Sequence, residues 1–227
     1  MPKIYNAFPT SIYHDEAPLE PGIKATLVAA VMEMGGQVLK QSPGSSWTGD
    51  VNGYELLHQD ARFQPLFDAF RPHLAKYLDS LAVNEEIVRL YYTRSWATIS
   101  RGGEQIQPHD HKQSHISLVY YLQMPPDAGF LSFLDRNAAN QFAPNLFRAN
   151  MLELGVIKQS HEFNALAYHV FPKEGDVVIF PSKIEHMTSA AQLDEPRLSI
   201  AVDIVATVTR TKGLEYLLPD VDTWAAV

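Results

Sequence analysis

The amino-acid sequence predicts an α+β fold that is mainly β, in which N-terminal helices pack against a barrel or double-sheet jelly roll of antiparallel strands. Two amphipathic helical patterns lie before residue 85. Short segments rich in Val, Ile, Tyr and Phe follow, separated by Gly, Pro and Asn clusters. Helical patterns of comparable length are missing between most of these segments, which argues against a doubly wound sheet.

The helical patterns occupy residues 22–40 and 63–78, and their apolar residues are expected in the core. Glycines at 35 and 36 weaken the first pattern. Pro72 predicts that the second helix is kinked or interrupted. The apolar positions are Ile23, Leu27, Ala30, Val31, Met34 and Val38 in the first pattern, and Phe63, Leu66, Phe67, Phe70, Leu74 and Leu78 in the second.

Six segments have the composition of strands. They are residues 87–100, 115–122, 129–135, 166–171, 176–180 and 197–208. The irregular stretch 136–165, with a short helix expected near residues 149–154, has the length of a lid or substrate-binding insert. We expect one domain over residues 1–227, made of a helical part (1–85), a β core (86–210) and a C-terminal tail (211–227).

Composition excludes several classes of protein. The 227 residues include no cysteine, which rules out disulfides, thiolate metal sites and cysteine nucleophiles. The formal net charge is −8 and no basic run is interleaved with aromatic residues, so nucleic acid is not an expected partner. The sequence has neither 18 consecutive apolar residues nor a signal-peptide pattern at its start, and we expect a cytoplasmic protein that does not bind membranes.

The stretch QPHDHKQSHISLVYYL (107–122) places two histidines at the start of a predicted strand. Side chains at alternate positions of an extended segment share a face, so His109 and His111 can bind one metal ion while Asp110 points away. A solvent-exposed polar loop is the alternative interpretation of this pair. A third histidine, His186, follows the predicted strand GDVVIFP (175–181).

Arg197 and Ser199 open the last long strand, 11 and 13 residues after His186. They share a face, so a guanidinium and a hydroxyl can bind one carboxylate together. The alternative for Arg197 is a surface salt bridge with Asp194 or Glu195.

These elements, in this order, resemble the Fe(II)/2-oxoglutarate-dependent oxygenase superfamily. The motifs are W-A-x-I-x-R-x-G, H-x-H, S-x-x-Y-Y, F-P-x-x-x-x-H and R-x-S, and they cover residues 94–206. They are most similar to a branch of bacterial and phage proteins with unassigned substrates, related to the prolyl hydroxylases. The resemblance implies a double-stranded β-helix (a cupin-like jelly roll) with the N-terminal helices packed against it.

The resemblance implies that His109 and His186 bind Fe(II). The third ligand of the superfamily is usually a carboxylate two residues after the first histidine, and this sequence has His111 there. We therefore predict a site of three histidines, with Asp110 as the fallback ligand.

For the co-substrate, the resemblance implies that Arg197 pairs with the distal carboxylate of 2-oxoglutarate and that Ser199 assists. Tyr121 is similar in position to a tyrosine that donates its hydroxyl to the same carboxylate, and Ser117 shares its face; a core aromatic residue is the alternative for Tyr121. The implied activity is that of a dioxygenase that oxidises a substrate, expected to be hydroxylated, and forms succinate and CO2.

Two other functions stay open at this point. A cupin-like metalloenzyme, acting as a dioxygenase or isomerase without 2-oxoglutarate, would use the same three histidines, but its Arg197 would not face the metal. A non-catalytic jelly roll that binds a ligand would not need the histidines to converge. The expected substrate of the oxygenase is a small molecule or a protein side chain, and a homodimer through the N-terminal helices is one option.

Overall fold

The computed structural model describes residues 3–5, 7–36 and 41–227, and these form three α-helices and ten strands. The helices are α1 (Pro21–Gly36), α2 (Gln64–Ser80) and α3 (Asn150–Glu153). The strands are β1 (Tyr13–Glu16), β2 (Trp47–Thr48), β3 (Val88–Ser100), β4 (Ile116–Gln123), β5 (Leu131–Leu134), β6 (Ala167–Val170), β7 (Asp176–Pro181), β8 (His186–Thr188), β9 (Arg197–Val208) and β10 (Leu218–Pro219).

The strands form two sheets. The larger sheet has the order β1-β7-β4-β9-β3-β2, with β10 added parallel to the end of β9 and every other pair antiparallel. The smaller sheet has the order β6-β5-β8. A small apolar cluster that includes Tyr121, Phe133 and Phe180 joins residues of both sheets. The predicted fold, a double-stranded β-helix with N-terminal helices, is confirmed.

The helices cover the other face of the larger sheet and form the main core with it. Leu27 and Val31 of α1 and Phe70 of α2 are fully buried with Ile99 of β3 and Leu118 of β4. Successive side chains of a strand point to opposite faces, so the other face of β3, β4 and β9 is available to line a cavity.

One prediction about the helices needs revision, and part of another lies outside the described residues. Helix α2 runs through Pro72 without interruption. Pro72 lies on the exposed side, where water can satisfy the carbonyl that the missing N–H would have bonded. Helix α1 extends in the described residues to Gly36, and the predicted positions 37–40, Val38 among them, lie outside those residues.

The six strands predicted from composition are present within two residues at each end. Strands β1, β2, β8 and β10 were not predicted, because two to four residues are too few to show a period of two. The omission of β8 matters, because His186 begins this strand and does not lie in a loop.

A β-bulge at Thr93 turns strand β3. Before the bulge, Leu90 and Tyr92 pack against the helical core. After it, the even-numbered residues from Arg94 to Ser100 line the cavity, while Ala97 and Ile99 face the helices. The bulge therefore sets which side chains of β3 reach the site.

Candidate active site

A cavity of about 340 Å³ opens between the two sheets. Strands β3, β4 and β9 supply one wall, and Leu131, His186 and Thr188 of the smaller sheet contribute to the other. All the predicted site residues line it: His109, Asp110, His111, Ser117, Tyr121, His186, Arg197 and Ser199.

Three histidines converge at one end of the cavity. One ring nitrogen from each of His109, His111 and His186 lies within 4.8 Å of the other two. Backbone pairing contributes to this geometry, because His109 and His186 exchange two N–H to carbonyl hydrogen bonds of 3.0 and 2.9 Å. The amide of His111 donates to Ser182 O at 3.0 Å. In the described part of the chain this is the one group of at least three such side chains close enough to share a metal ion.

The Nδ1 atoms of all three rings face oxygen atoms that can only accept. Nδ1 lies 2.8 Å from Gln107 O in His109, 2.9 Å from Ile184 O in His186, and 2.5 Å from Oδ1 of Asp203 in His111. Each Nδ1 must therefore carry the proton, so each Nε2 has a free lone pair. This tautomer is the one that a three-histidine metal site requires.

Burial keeps two of these rings neutral. Desolvation, together with the neighbouring His109, lowers the pKa of His186 to about 3. Desolvation also lowers the pKa of His109. Both imidazoles are therefore unprotonated near neutral pH, as metal ligands must be.

Asp203 is an ionised carboxylate directly behind His111. The residue is fully buried, and its second oxygen accepts from Nε2 of Gln113 at 2.9 Å. Burial alone would raise its pKa, but the hydrogen bond from His111, with help from those of Gln113 and Ser114, holds the pKa below its ordinary value. The sequence analysis missed Asp203; the available signal was a charged residue inside the apolar strand IAVDIVA, on the same face as Arg197 and Ser199.

Arg197 lies at the other end of the cavity and is 3% exposed. Its guanidinium donates to Ala128 O at 2.7 Å, Thr188 Oγ1 at 2.9 Å and Ser100 Oγ at 3.2 Å, which are all neutral acceptors. In the residues that the structure describes it forms no ion pair, so the surface salt bridge considered above is absent. Burial lowers the pKa of this side chain, and a buried cation without a counter-ion can bind an anion.

Tyr121 and Ser199 lie beside Arg197. They are directly opposed in the β4–β9 ladder, and Ser199 also faces Thr98 of β3. The Tyr121 hydroxyl is buried without a hydrogen-bond partner among the described residues, and burial raises its pKa, so it stays a donor. The hydroxyl can therefore donate to the anion that Arg197 binds.

Two of the predicted residues lie away from the positions that their predicted contacts require. Ser117 is paired with Asp203 and its hydroxyl contacts Ser182 Oγ at 2.9 Å, so it lies roughly 13 Å along the strand from Tyr121, at the histidine end. Its position suits support of Asp203 better than contact with the anion at Arg197. The fallback ligand Asp110 pairs with Lys112 at 2.5 Å and is not in the histidine group.

Trp96 stacks on His111, with ring centroids 5.7 Å apart and an angle of 20° between the planes. Trp96 and Thr98 both line the cavity. The segment 41–54 contributes Thr48 and Asp50 to the lining. The stretch 136–165, which has the length of a lid or substrate-binding insert, contributes no lining residue, and its role as a lid stays a prediction.

The residues fit both groups that the fold family implies. Nε2 of His111 is buried without a hydrogen-bond partner in the described residues, as is the Tyr121 hydroxyl. A divalent metal would use the first of these atoms together with Nε2 of His109 and His186, and a dicarboxylate would use the second together with Arg197.

Comparison with known families gives a match over the same region. The model of a family described as "Putative 2OG-Fe(II) oxygenase" matches residues 94–203. These residues include the three histidines, Tyr121, Arg197 and Asp203. A comparison with curated proteins finds no match.

Solved structures with the same fold include oxygenases of this type. The non-haem α-ketoglutarate-dependent epimerase SnoN of nogalamycin biosynthesis has a TM-score of 0.53 at 17% identity, over 96% of this chain and 87% of its own. HygX from Streptomyces hygroscopicus, solved with nickel and 2-oxoglutarate, has a TM-score of 0.54 at 14% identity (86% and 82%). The viral collagen prolyl hydroxylase vCPH from Paramecium bursaria Chlorella virus-1, in complex with 2-oxoglutarate, has 0.50 at 10% (85% and 94%). At these identities the likeness establishes the fold.

Helices long and apolar enough to cross a membrane are absent from the described residues.

Proposed function

We propose that this chain is a member of the Fe(II)/2-oxoglutarate-dependent oxygenase superfamily, and that it hydroxylates a small molecule or a protein side chain through Fe(II) held by His109, His111 and His186. The observation that carries the proposal is that one cavity contains both three histidine rings with convergent nitrogens and a buried Arg197 without an ion-pair partner among the described residues. When bound, Fe(II) and 2-oxoglutarate supply the oxidising chemistry, in which O2 is reduced while 2-oxoglutarate becomes succinate and CO2 and the substrate gains a hydroxyl group.

The protein residues have separate tasks in this proposal. Arg197 and Tyr121 bind the distal carboxylate of 2-oxoglutarate by charge-assisted hydrogen bonds. Ser199 lies between Tyr121 of β4 and Thr98 of β3 in the sheet. The backbone oxygens of Gln107 and Ile184 and the carboxylate of Asp203 hold the three imidazoles in one tautomer. Leu131 and Trp96 line the wall and limit the entry of water.

Asp203 answers the main objection to a site of three histidines. The usual site has two histidines and one carboxylate, so a third neutral histidine would leave the centre more positive by one charge. The carboxylate of Asp203 touches His111, so the formal charge of ligands and nearest neighbours together equals that of the usual site. The negative charge therefore lies on a residue that contacts a ligand, and not on a ligand itself.

The cupin-like alternative without 2-oxoglutarate is less well supported. It requires an Arg197 that does not face the metal cavity, and Arg197 lines that cavity. A non-catalytic binding protein would have no need for histidines whose ring nitrogens converge. A cytoplasmic location and a homodimer stay predictions from the sequence, which cell fractionation and light scattering would test.

The test is anaerobic calorimetric titration of 2-oxoglutarate into the Fe(II)-loaded protein, with Arg197→Ala, His111→Ala and the control Arg89→Ala. Arg89 is half exposed and pairs with Asp220, so its loss changes net charge without touching the cavity. We expect micromolar binding that requires metal, is lost in Arg197→Ala and persists in Arg89→Ala. Wild-type protein that holds Fe(II) but does not bind 2-oxoglutarate would rule the proposal out.

A further inference from the structure

An acid–base pair lies in the cavity and has no task in the chemistry above. The carboxylate of Asp50 accepts from a guanidinium nitrogen of Arg94 through Oδ2, at 3.2 Å, and both residues line the cavity. The other oxygen, Oδ1, is buried and has no hydrogen-bond partner in the part of the chain that the structure describes. A buried carboxylate oxygen left unpaired is costly, and at a cavity wall it marks a place for a donor group.

The register of β3 and β9 places this pair at the histidine end of the cavity, away from Arg197. Ser100 pairs with Arg197 at one end of the ladder, and Arg94 pairs with Asp203, which contacts His111, at the other. Six residues of strand separate Arg94 from Ser100, which is roughly 20 Å. The 2-oxoglutarate end and the Asp50–Arg94 end of the cavity are therefore distinct, and His111 belongs to the second.

Aromatic stacking connects the pair to the metal ligands. The guanidinium of Arg94 lies 5.2 Å from the ring centre of Trp96, and the ring of Trp96 also stacks on the imidazole of His111. A molecule held by Arg94 and Asp50 would thus have its remaining atoms close to the histidine group. That is where a substrate bond must lie if it is to be oxidised.

The backbone holds Asp50 rigidly in this position. Thr48 pairs with Thr98 of β3, and the amide of Gly49 donates to Ala97 O at 2.8 Å. A Cβ at position 49 would lie 3.1 Å from Tyr54 O and 3.4 Å from Ala97 N, so the approach of the loop to β3 depends on glycine. The bulge at Thr93 turns Arg94 towards the same place.

We propose that Asp50 and Arg94 bind the substrate of this enzyme, and that the substrate presents an α-amino-acid group to them, with its ammonium on Asp50 and its carboxylate on Arg94. The inference rests on the proposed oxygenase function. Asp50 and Arg94 place a negative and a positive charge side by side, and an α-amino acid carries a neighbouring ammonium and carboxylate that complement them. Both contacts would be charge-assisted hydrogen bonds. Arg94 still has donors for a carboxylate after its single bond to Asp50.

The test uses the twenty free L-amino acids as probes against protein loaded with Ni(II) and 2-oxoglutarate, which binds without turning over. Binding is measured by calorimetry, and succinate formation is measured separately with Fe(II). The variants are Asp50→Asn and Arg94→Gln. Their matched controls are Asp220→Asn and Arg89→Gln, an Asp–Arg pair of similar length (3.1 against 3.2 Å) that also has its arginine on β3 but does not line the cavity.

We expect at least one amino acid to bind, and its N-acetyl and carboxamide forms to bind about 10- to 100-fold more weakly, because each loses one charged contact. Asp50→Asn and Arg94→Gln should weaken the same amino acid by a similar factor and leave 2-oxoglutarate affinity within twofold of wild type. The two control variants should bind like wild type.

Two results would overturn the inference while leaving the oxygenase function intact. Protein that binds metal and 2-oxoglutarate but none of the twenty amino acids would do so, and so would an amino acid that binds Asp50→Asn and Arg94→Gln as tightly as wild type. Failure of 2-oxoglutarate to bind the metal-loaded protein is a separate observation, and it contradicts the proposed function itself.

Discussion

Oδ1 of Asp203 lies 2.5 Å from Nδ1 of His111, although 92 residues separate the two in the chain. This contact fixes the tautomer of one proposed ligand and adds a negative charge next to the metal position. Asp203 in turn is held by Gln113 and Ser114, which lie within three residues of His111. The His111 loop thus supplies both a candidate ligand and the side chains that hold the carboxylate behind it.

We predict that Asp203→Asn weakens the binding of Fe(II) or Ni(II) by about 10- to 100-fold. An asparagine can turn its amide N–H towards Nδ1, which moves the ring proton to Nε2 and removes the free lone pair. Calorimetric titration of the metal-free protein measures the effect. Asp220→Asn is the control, since Asp220 pairs with Arg89 and does not line the cavity. Unchanged metal affinity in Asp203→Asn would contradict the role assigned to Asp203.

Tyr121→Phe should have opposite effects on ligand binding and on stability. The hydroxyl is buried and unpaired in the described residues, so its removal should leave the free energy of unfolding of the ligand-free protein unchanged or raise it by about 1 kcal/mol. Affinity for 2-oxoglutarate should fall about 10- to 100-fold, because a hydrogen bond to a charged group is lost. Urea unfolding and calorimetry give the two values. A loss of stability with normal 2-oxoglutarate binding would show that Tyr121 is a core residue.

Gly129→Ala should weaken 2-oxoglutarate binding through Arg197. Gly129 has φ +87°, and a Cβ there would lie 2.1 Å from Ser189 Oγ and 3.5 Å from a guanidinium nitrogen of Arg197. We expect a loss of at least about 1 kcal/mol of stability and a measurable loss of 2-oxoglutarate affinity. Gly213→Ala is the control, because Gly213 has φ +78° with nothing within 4 Å. It should lose stability alone. Equal 2-oxoglutarate affinities in the two variants would contradict the expectation.

Buried His73 should make the metal-free protein less stable in mild acid. Desolvation lowers the pKa of His73, with Asp15 of β1 opposing and Lys76 of α2 reinforcing the shift, and Nδ1 lies 3.0 Å from the Tyr13 hydroxyl. Below pH 6.5 the unfolded chain therefore takes up a proton that the folded chain does not. Stability should fall as the pH drops from 7 to 5, by at most about 1.4 kcal/mol per pH unit for this group.

His73→Gln tests this pH dependence, since glutamine keeps a polar group near Tyr13 but does not titrate. Urea unfolding at pH 7 and pH 5 should show a smaller difference between the two pH values in the variant than in wild type. His169→Gln, which changes an exposed histidine, should keep the wild-type difference. The same difference in His73→Gln as in wild type would assign the acid sensitivity to other groups.

Helices and strands that are long enough to show a sequence pattern could be predicted from the sequence. Features that depend on pairing with a distant strand could not. Strand β9 is twelve residues long and rich in Val and Ile, and its predicted bounds are those observed. Strand β8 has three residues, too few for any pattern, yet it positions His186. The bulge at Thr93 has no sequence signal, and it decides that Arg94 faces the cavity while Tyr92 faces the helices.

The site shows the same division. The motif spacing led to His109, His111, His186, Arg197, Ser199 and Tyr121, which the structure brings to one cavity. Their roles in binding metal and 2-oxoglutarate remain proposals. Asp203 and Asp50 were missed, because their importance comes from neighbours 92 and 44 residues away in the chain. Contacts of that range depend on strand order, which periodicity does not contain.

Strand β9 presents Arg197, Ser199, Ala201 and Asp203 at successive alternate positions of one face. This arrangement makes the strand intolerant of a change in length. Deletion of one residue between Ser199 and Asp203 would send Asp203 into the helical core and bring an apolar neighbour to His111. During evolution the spacing within β9 should therefore stay fixed in any descendant that keeps both ends of the cavity, while new substrate preferences arise by substitution of the side chains that the 41–54 segment contributes to the cavity wall.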